Sequence, residues 1–117
     1  MNINPIIEKA FENFVVDGIK IPISPIKYKG DSTTYLTYYT YLEQPEGFAD
    51  DNPIVSGTYG TIDIFSKGNF KKIKKEVKKI LKEQGFTWTG DEAETYEEDT
   101  GLFHVPVNFF VESGIDI

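Results

Sequence analysis

The nine residues Tyr96 to His104, YEEDTGLFH, hold the most suggestive chemistry in the chain. Asp99-Thr100-Gly101 is the tripeptide that carries the catalytic aspartate of pepsin-like and retroviral proteases. That chemistry needs two carboxylates sharing one proton, each held in a buried, hydrogen-bonded loop. Here Glu97 and Glu98, whose charges need water, precede the tripeptide, and Leu102 stands where those enzymes carry Ala or Ser. The expected role of Asp99 and Gly101 is therefore to turn a hairpin. His104 is the only histidine and there is no cysteine, so no Cys–His pair, histidine cluster or cysteine-based zinc site can form. The acids between Glu43 and Asp51 offer oxygen ligands but lack the D-x-D-x-D-G spacing that wraps a calcium ion. Gly68 precedes a run of lysines without forming the G-x-x-x-x-G-K-[ST] phosphate loop. No catalytic, cofactor-binding or metal-ligating residue is assigned, and the expectation is a protein that is not an enzyme.

Charge is the stronger signal. Residues 67 to 84 hold eight of the twelve lysines and only two acids, Glu76 and Glu83, a local charge of +6 in a chain of net charge −7. Within that stretch Phe70, Ile73, Val77, Ile80 and Leu81 recur at helical spacing, while lysines 71, 74, 75, 78, 79 and 82 cover the opposite face. Four i, i+4 lysine pairs, 71/75, 74/78, 75/79 and 78/82, cost about 1 to 2 kcal/mol in total at ~0.2 to 0.5 kcal/mol each. Salt screening of an ordinary solvated face answers that cost with no partner at all, and two partners would offset it. One is the acidic stretches Glu43 to Asp51 and Asp91 to Asp99 of a neighbouring subunit, in a head-to-tail contact that can close into a ring. The other is nucleic acid, disfavoured because the chain has no arginine for bidentate recognition and a net negative charge that opposes approach. The candidate contact residues are Lys71, Lys74, Lys75, Lys78 and Lys82 on the cationic side, and Asp50, Asp51, Glu97 and Glu98 on the anionic side.

The elements that must carry these residues read as follows. Asn4-Pro5 is a helix start with Asn4 as cap, and the helix it opens is expected to run to a stop at Asp17-Gly18. Ile19 to Tyr28 alternates but contains Pro22 and Pro25, which suits an edge strand or extended arm. Thr33 to Leu42 and Ser56 to Phe65 are strands, with Ile62 and Ile64 on one face and Tyr59, Asp63 and Phe65 on the other. Glu43 to Pro53 reads as a loop. Asn69 is expected to cap the lysine-rich helix and Gly85 to end it. Strand pieces lead to a turn at Glu98 to Gly101, and the strand after it places Phe103, Val105, Val107, Phe109 and Val111 on one side. At 117 residues this is a single domain, 1–117. The expected fold class is α+β: a mainly antiparallel sheet of about four strands with two helices packed on it, plus an extended N-terminal arm or edge strand. The N-terminus reads as free of a secretion signal, and no apolar run approaches the ~20 residues that span a bilayer.

Three stretches together, YLTYYTYLEQPEGFADDNP, YGTIDIFSKGNFKKIKKEVKKILKEQGF and YEEDTGLFHVPVNFFVE, resemble the tail completion proteins of long-tailed phages and prophages, which include tail terminator and head-to-tail joining proteins. The likeness runs from the N-terminal helix through the last strand. It is carried by the strand entering the ADD segment, the strand ending before the lysine-rich helix, the GF after it, and the Y-E-x-D-T-G-L-[YF]-H hairpin. The resemblance implies a structural role in the virion at the head–tail interface, reached from the host cytoplasm during assembly. It also implies a hexameric ring with no cofactor and no membrane, contacting the tail tube protein and the head connector or stopper protein while DNA passes through without specific binding. The alternative is a small non-catalytic module that contacts nucleic acid or a host protein through the lysine-rich helix face.

Overall fold

A computed structural model describes residues 3–49 and 52–114. In chain order the elements are α1 (Asn4–Ala10), β1 (Val15–Val16), β2 (Ile19–Lys20), β3 (Ile23–Pro25), β4 (Tyr35–Ala49), β5 (Asn52–Ser66), α2 (Phe70–Glu83), β6 (Thr87–Asp91), β7 (Thr95–Glu97) and β8 (Leu102–Gly114). The main sheet has six strands in the order β3-β4-β5-β8-β6, with β7 also paired to β8; β1 and β2 form a separate two-stranded ribbon.

This corrects the expected four-stranded, mainly antiparallel sheet: the sheet is mixed, because β3 runs parallel to β4 in the register Ile23↔Leu36, Ser24↔Thr37 and Pro25↔Tyr38. Proline does not prevent this pairing. Leu36 N–H donates to the Pro22 carbonyl and Ile26 N–H donates to the Tyr38 carbonyl, both at 2.9 Å. Residues 22 and 26 thus turn their backbone groups toward β4, and the N–H that Pro25 lacks faces away from the sheet.

Two further expectations fail for identifiable reasons. The first helix ends at Ala10, not at Asp17-Gly18, and its cap position is Ile3, with Asn4 already inside the helix. Asp17 and Gly18 both have positive φ, 54° and 78°, and sit between the pairs Val15↔Lys20 and Val16↔Ile19. They form the two-residue turn that a hairpin prefers, and the β-branched valines before them favour strand over helix. Similarly, the expected loop Glu43 to Pro53 is strand over 43–49 and 52–53: β4 continues to Ala49 and β5 starts at Asn52, paired from Glu43↔Thr58 to Ala49↔Asn52. Ladder formation across the hairpin overrides the low strand propensity of its Glu, Pro and Gly residues. The result is an arm. Fifteen-residue strands at about 3.3 Å per residue span about 50 Å, matching a longest dimension of 52 Å. The radius of gyration, 15.4 Å, exceeds the about 13 Å of a compact chain this long.

Both helices pack on one face of the sheet. Leu36, Tyr38, Ile62, Ile64, Val105, Val107 and Phe109 point toward them and are buried against Ile3, Ile7, Phe11, Ile73, Val77 and Leu81. Alternation along the regular stretches of β4, β5 and β8 leaves the other face to Tyr35, Tyr39, Tyr59, Asp63, Phe65, His104, Asn108 and Phe110. Gly60 is required by close packing: a Cβ there would lie 2.7 Å from the Tyr39 carbonyl oxygen and against the Phe109 ring. The turn at 98–101 forms as expected, closed by Gly101 N–H donating to the Glu97 carbonyl at 2.8 Å, with Gly101 at φ 72° and Asp99 exposed.

Candidate functional site

α2 is positioned by its two ends. Asn69 occupies the cap position in a left-handed conformation, φ 61°, but its side chain does not cap the helix as expected. Instead its Nδ2 donates to Asp17 at 2.6 Å, tying the helix to the β1–β2 turn. At the other end Gly85, φ 84°, donates its N–H to the Lys82 carbonyl at 3.0 Å, and Phe86 N–H reaches back to the Leu81 carbonyl at 2.9 Å. This is the Schellman arrangement, with Phe86 and Leu81 both buried beside it. Ile73, Val77 and Leu81 then lock the helix onto the sheet.

The lysines divide into two sets. Lys72 pairs with Asp17. Lys74 lies 3.3 Å from Asp91 and 3.4 Å from Glu94, and Lys78 lies 2.9 Å from Asp91. Lys78 also sits 4.2 Å above the Trp88 ring, whose Nε1–H donates to Asp91 at 2.8 Å. Partial burial pushes the Asp91 carboxyl up, but hydrogen bonds from Lys78, Trp88 and Lys74 outweigh it and hold the group below the usual carboxylate range. Burial likewise pulls Lys74 down, and its bonds to Asp91 and Glu94 carry it above the ordinary lysine value. Lys74 and Lys78 are thus neutralised within the chain. Lys71, Lys75, Lys79 and Lys82, at i, i+4, i+8 and i+11, are exposed and have no ion-pair partner among the described residues. They form one stripe opposite the buried face.

The second part of the site is the open face of the sheet, which neither helix covers. Tyr28, Tyr35, Phe65 and His104 stack face to face across it, with centroid separations of 4.4, 4.8 and 4.5 Å. Below that row Tyr39, Tyr41, Tyr59 and Phe110 form another, and a bulge between Thr40 and Leu42 admits the extra Tyr41. Tyr39 and Tyr41 are 39% and 54% exposed. Polar groups lie between the rows: Thr61 Oγ1 donates to Asn108 at 2.7 Å, and His104 Nε2 is 2.8 Å from Asp63. Burial pushes the Asp63 carboxyl up, only partly countered by the bond to His104. Tyr39, Tyr41, Thr61, Asn108 and Glu92 line a shallow hollow. Glu97 pairs with Leu102 at the border of this face, and burial and then the Glu97 charge push the Tyr35 hydroxyl up.

Of the residues singled out in the sequence, Lys71, Lys75 and Lys82 share the unpaired stripe, whereas Lys74 and Lys78 belong to the internal cluster with Asp91. Glu97 borders the open face and accepts a hydrogen bond from Thr100 Oγ1 at 3.1 Å. Glu98 is exposed in the turn that follows. Asp50 and Asp51 lie outside the described residues. Trp88, Glu92 and the two aromatic rows escaped sequence reasoning, although the alternating tyrosines of TTYLTYYTYL carried the signal for the rows. Among the described residues no three or more His, Asp or Glu side chains are grouped to hold a metal ion, and no helix is long and apolar enough to cross a membrane. No protein-family model matches the chain, and no curated protein matches it.

Proposed function

We propose that this chain is a structural assembly protein of a phage or prophage tail, one that acts as a ring oligomer to end the tail tube or to join it to the head connector. The observation that carries this reading is the division of charge: a stripe of four lysines without ionic partners among the described residues, on a chain of net charge −7. Such a surface costs its own helix stability, and a partner of opposite charge offsets that cost. The sequence likeness to tail completion proteins supplies the setting, with the tail tube and connector or stopper proteins as partners and DNA passing through the ring without specific contact.

Purified tail tubes mixed with the full chain test this directly. Electron microscopy is expected to show one end of each tube capped, and Lys75→Glu with Lys79→Glu to abolish capping. Tubes left bare by the wild-type chain would rule the function out. Salt-sensitive binding of duplex DNA that is lost in the same variant would instead favour the nucleic-acid module.

A further inference from the structure

We propose that the open face of the sheet is the seat for the lysine stripe of a second copy of this chain, so that copies join head to tail, helix layer onto bare sheet. The inference rests on the ring reading above and assigns its two contact surfaces. The chain itself demonstrates the chemistry. Lys78 is held by an aromatic face at 4.2 Å and a carboxylate at 2.9 Å, the pair supplied by Trp88 and Asp91. The open face repeats that pairing where no lysine of its own helix can reach, because α2 lies on the opposite side of the sheet. Tyr39 and Tyr41 line one hollow with Glu92, and Tyr35 lies within the influence of Glu97. Asp63, also on this face, is already engaged by His104 and is buried, whereas Glu92 and Glu97, beside the aromatic rings, are open to an incoming ammonium group.

The two surfaces also match in kind. Lys71, Lys75, Lys79 and Lys82 form a linear cationic row, and the aromatic residues run in rows across β4, β5 and β8. Four-carbon lysine stems cover apolar rings while their charged ends reach carboxylates. Because the helix layer and the bare sheet are different patches of the same molecule, the contact is heterologous and leaves one donor and one acceptor surface on every copy. The acids Asp91 and Glu94 do not compete for the stripe, since they are satisfied by Lys74 and Lys78.

The full chain, alone and bound to tail tubes, is treated with a carbodiimide, which joins a lysine to a carboxylate only where the two already touch. Intermolecular links from Lys71, Lys75, Lys79 or Lys82 to Glu92 or Glu97 are expected. Lys75→Glu/Lys79→Glu and Glu92→Lys/Tyr41→Ser are each expected to weaken self-association on the order of 100-fold in sedimentation equilibrium. Mixed in equal amounts, the two variants are expected to form dimers and nothing larger, because only one intact surface of each kind remains. Tyr41 and Glu92 are exposed, and circular dichroism verifies that both variants fold. Self-association that neither variant alters, or links confined to other residues, would overturn this interface and leave the ring standing. Absence of any self-association on tubes would overturn both.

Discussion

Two aspartates illustrate how little the residue type alone decides. Asp91 is held below the ordinary carboxylate range by Lys78, Trp88 and Lys74, against the opposing effect of its partial burial. Its ionised form therefore stabilises the fold above the ordinary aspartate range, and that contribution is lost as pH falls through the depressed value. Asp63 has the opposite sign: burial raises it, so its contribution is fully present only below the ordinary range and declines as pH rises through the raised value. Asp63→Asn is accordingly expected to keep or increase stability at neutral pH while flattening the stability profile in the mildly acidic range, as read by urea denaturation from pH 4 to pH 7. Asp91→Asn should lose about 1 kcal/mol at neutral pH, discounted for the solvent that reaches its lysine partners. A loss at neutral pH for Asp63→Asn larger than that for Asp91→Asn would contradict both assignments. None of this was legible beforehand. The sequence shows Asp63 in an alternating strand and Asp91 in an acidic stretch, but the partners lie 41 and 13 positions away, one supplied by the sheet register and the other by the packing of α2 beside β6.

At the scale of elements, α2 carries a conflict between stability and association. Lys75 faces Lys71 and Lys79 at i−4 and i+4, and none of the three has an ion-pair partner among the described residues. Lys75→Glu turns both contacts attractive and is expected to stabilise the isolated protein by about 1 kcal/mol. Thermal melting should show a higher midpoint in the same variant whose capping and self-association are impaired. A variant that merely unfolds would refute the expectation. Gly85→Ala should cost about 1 kcal/mol, because its φ of 84° is strained for any residue with a Cβ. Gly60→Val should cost at least about 2 kcal/mol, since the obstruction includes a carbonyl oxygen that cannot rotate away.

The long elements were readable because period and burial agree. The apolar stripe of α2 and the alternation of Ile62, Ile64, Val105, Val107 and Phe109 each repeat often enough to identify a face. β3 lies within the segment Ile19 to Tyr28 whose alternation marks an edge strand, but three residues cannot show that it runs parallel to β4. Asp17-Gly18 is equally at home after a helix and in a hairpin turn. Only the neighbouring valines and their pairing decide between the two. Of the site, the lysine stripe was legible as a surface, but its division into paired and unpaired halves depended on where β6 places Asp91 and Trp88.

For the molecule as a whole, the sheet order sets the expected hierarchy of local stability. β5 is flanked by β4 on one side and β8 on the other over most of its length, and Ile62 and Ile64 are completely buried. Their amides are expected to exchange with solvent slowest of all, while those of the two-residue strands β1 and β2 exchange fastest, because a short isolated ribbon has little to hold it. Hydrogen-exchange mass spectrometry distinguishes this from a molecule that opens uniformly. The placement of β8 between β5 and β6 has a further consequence for biogenesis. Every other strand of the sheet leaves the ribosome before it, so a nascent chain displays the naked rim of β5 until synthesis passes Leu102. A premature stop codon before that point would yield a sticky polypeptide prone to coalescing with others of its kind, not a shortened working part.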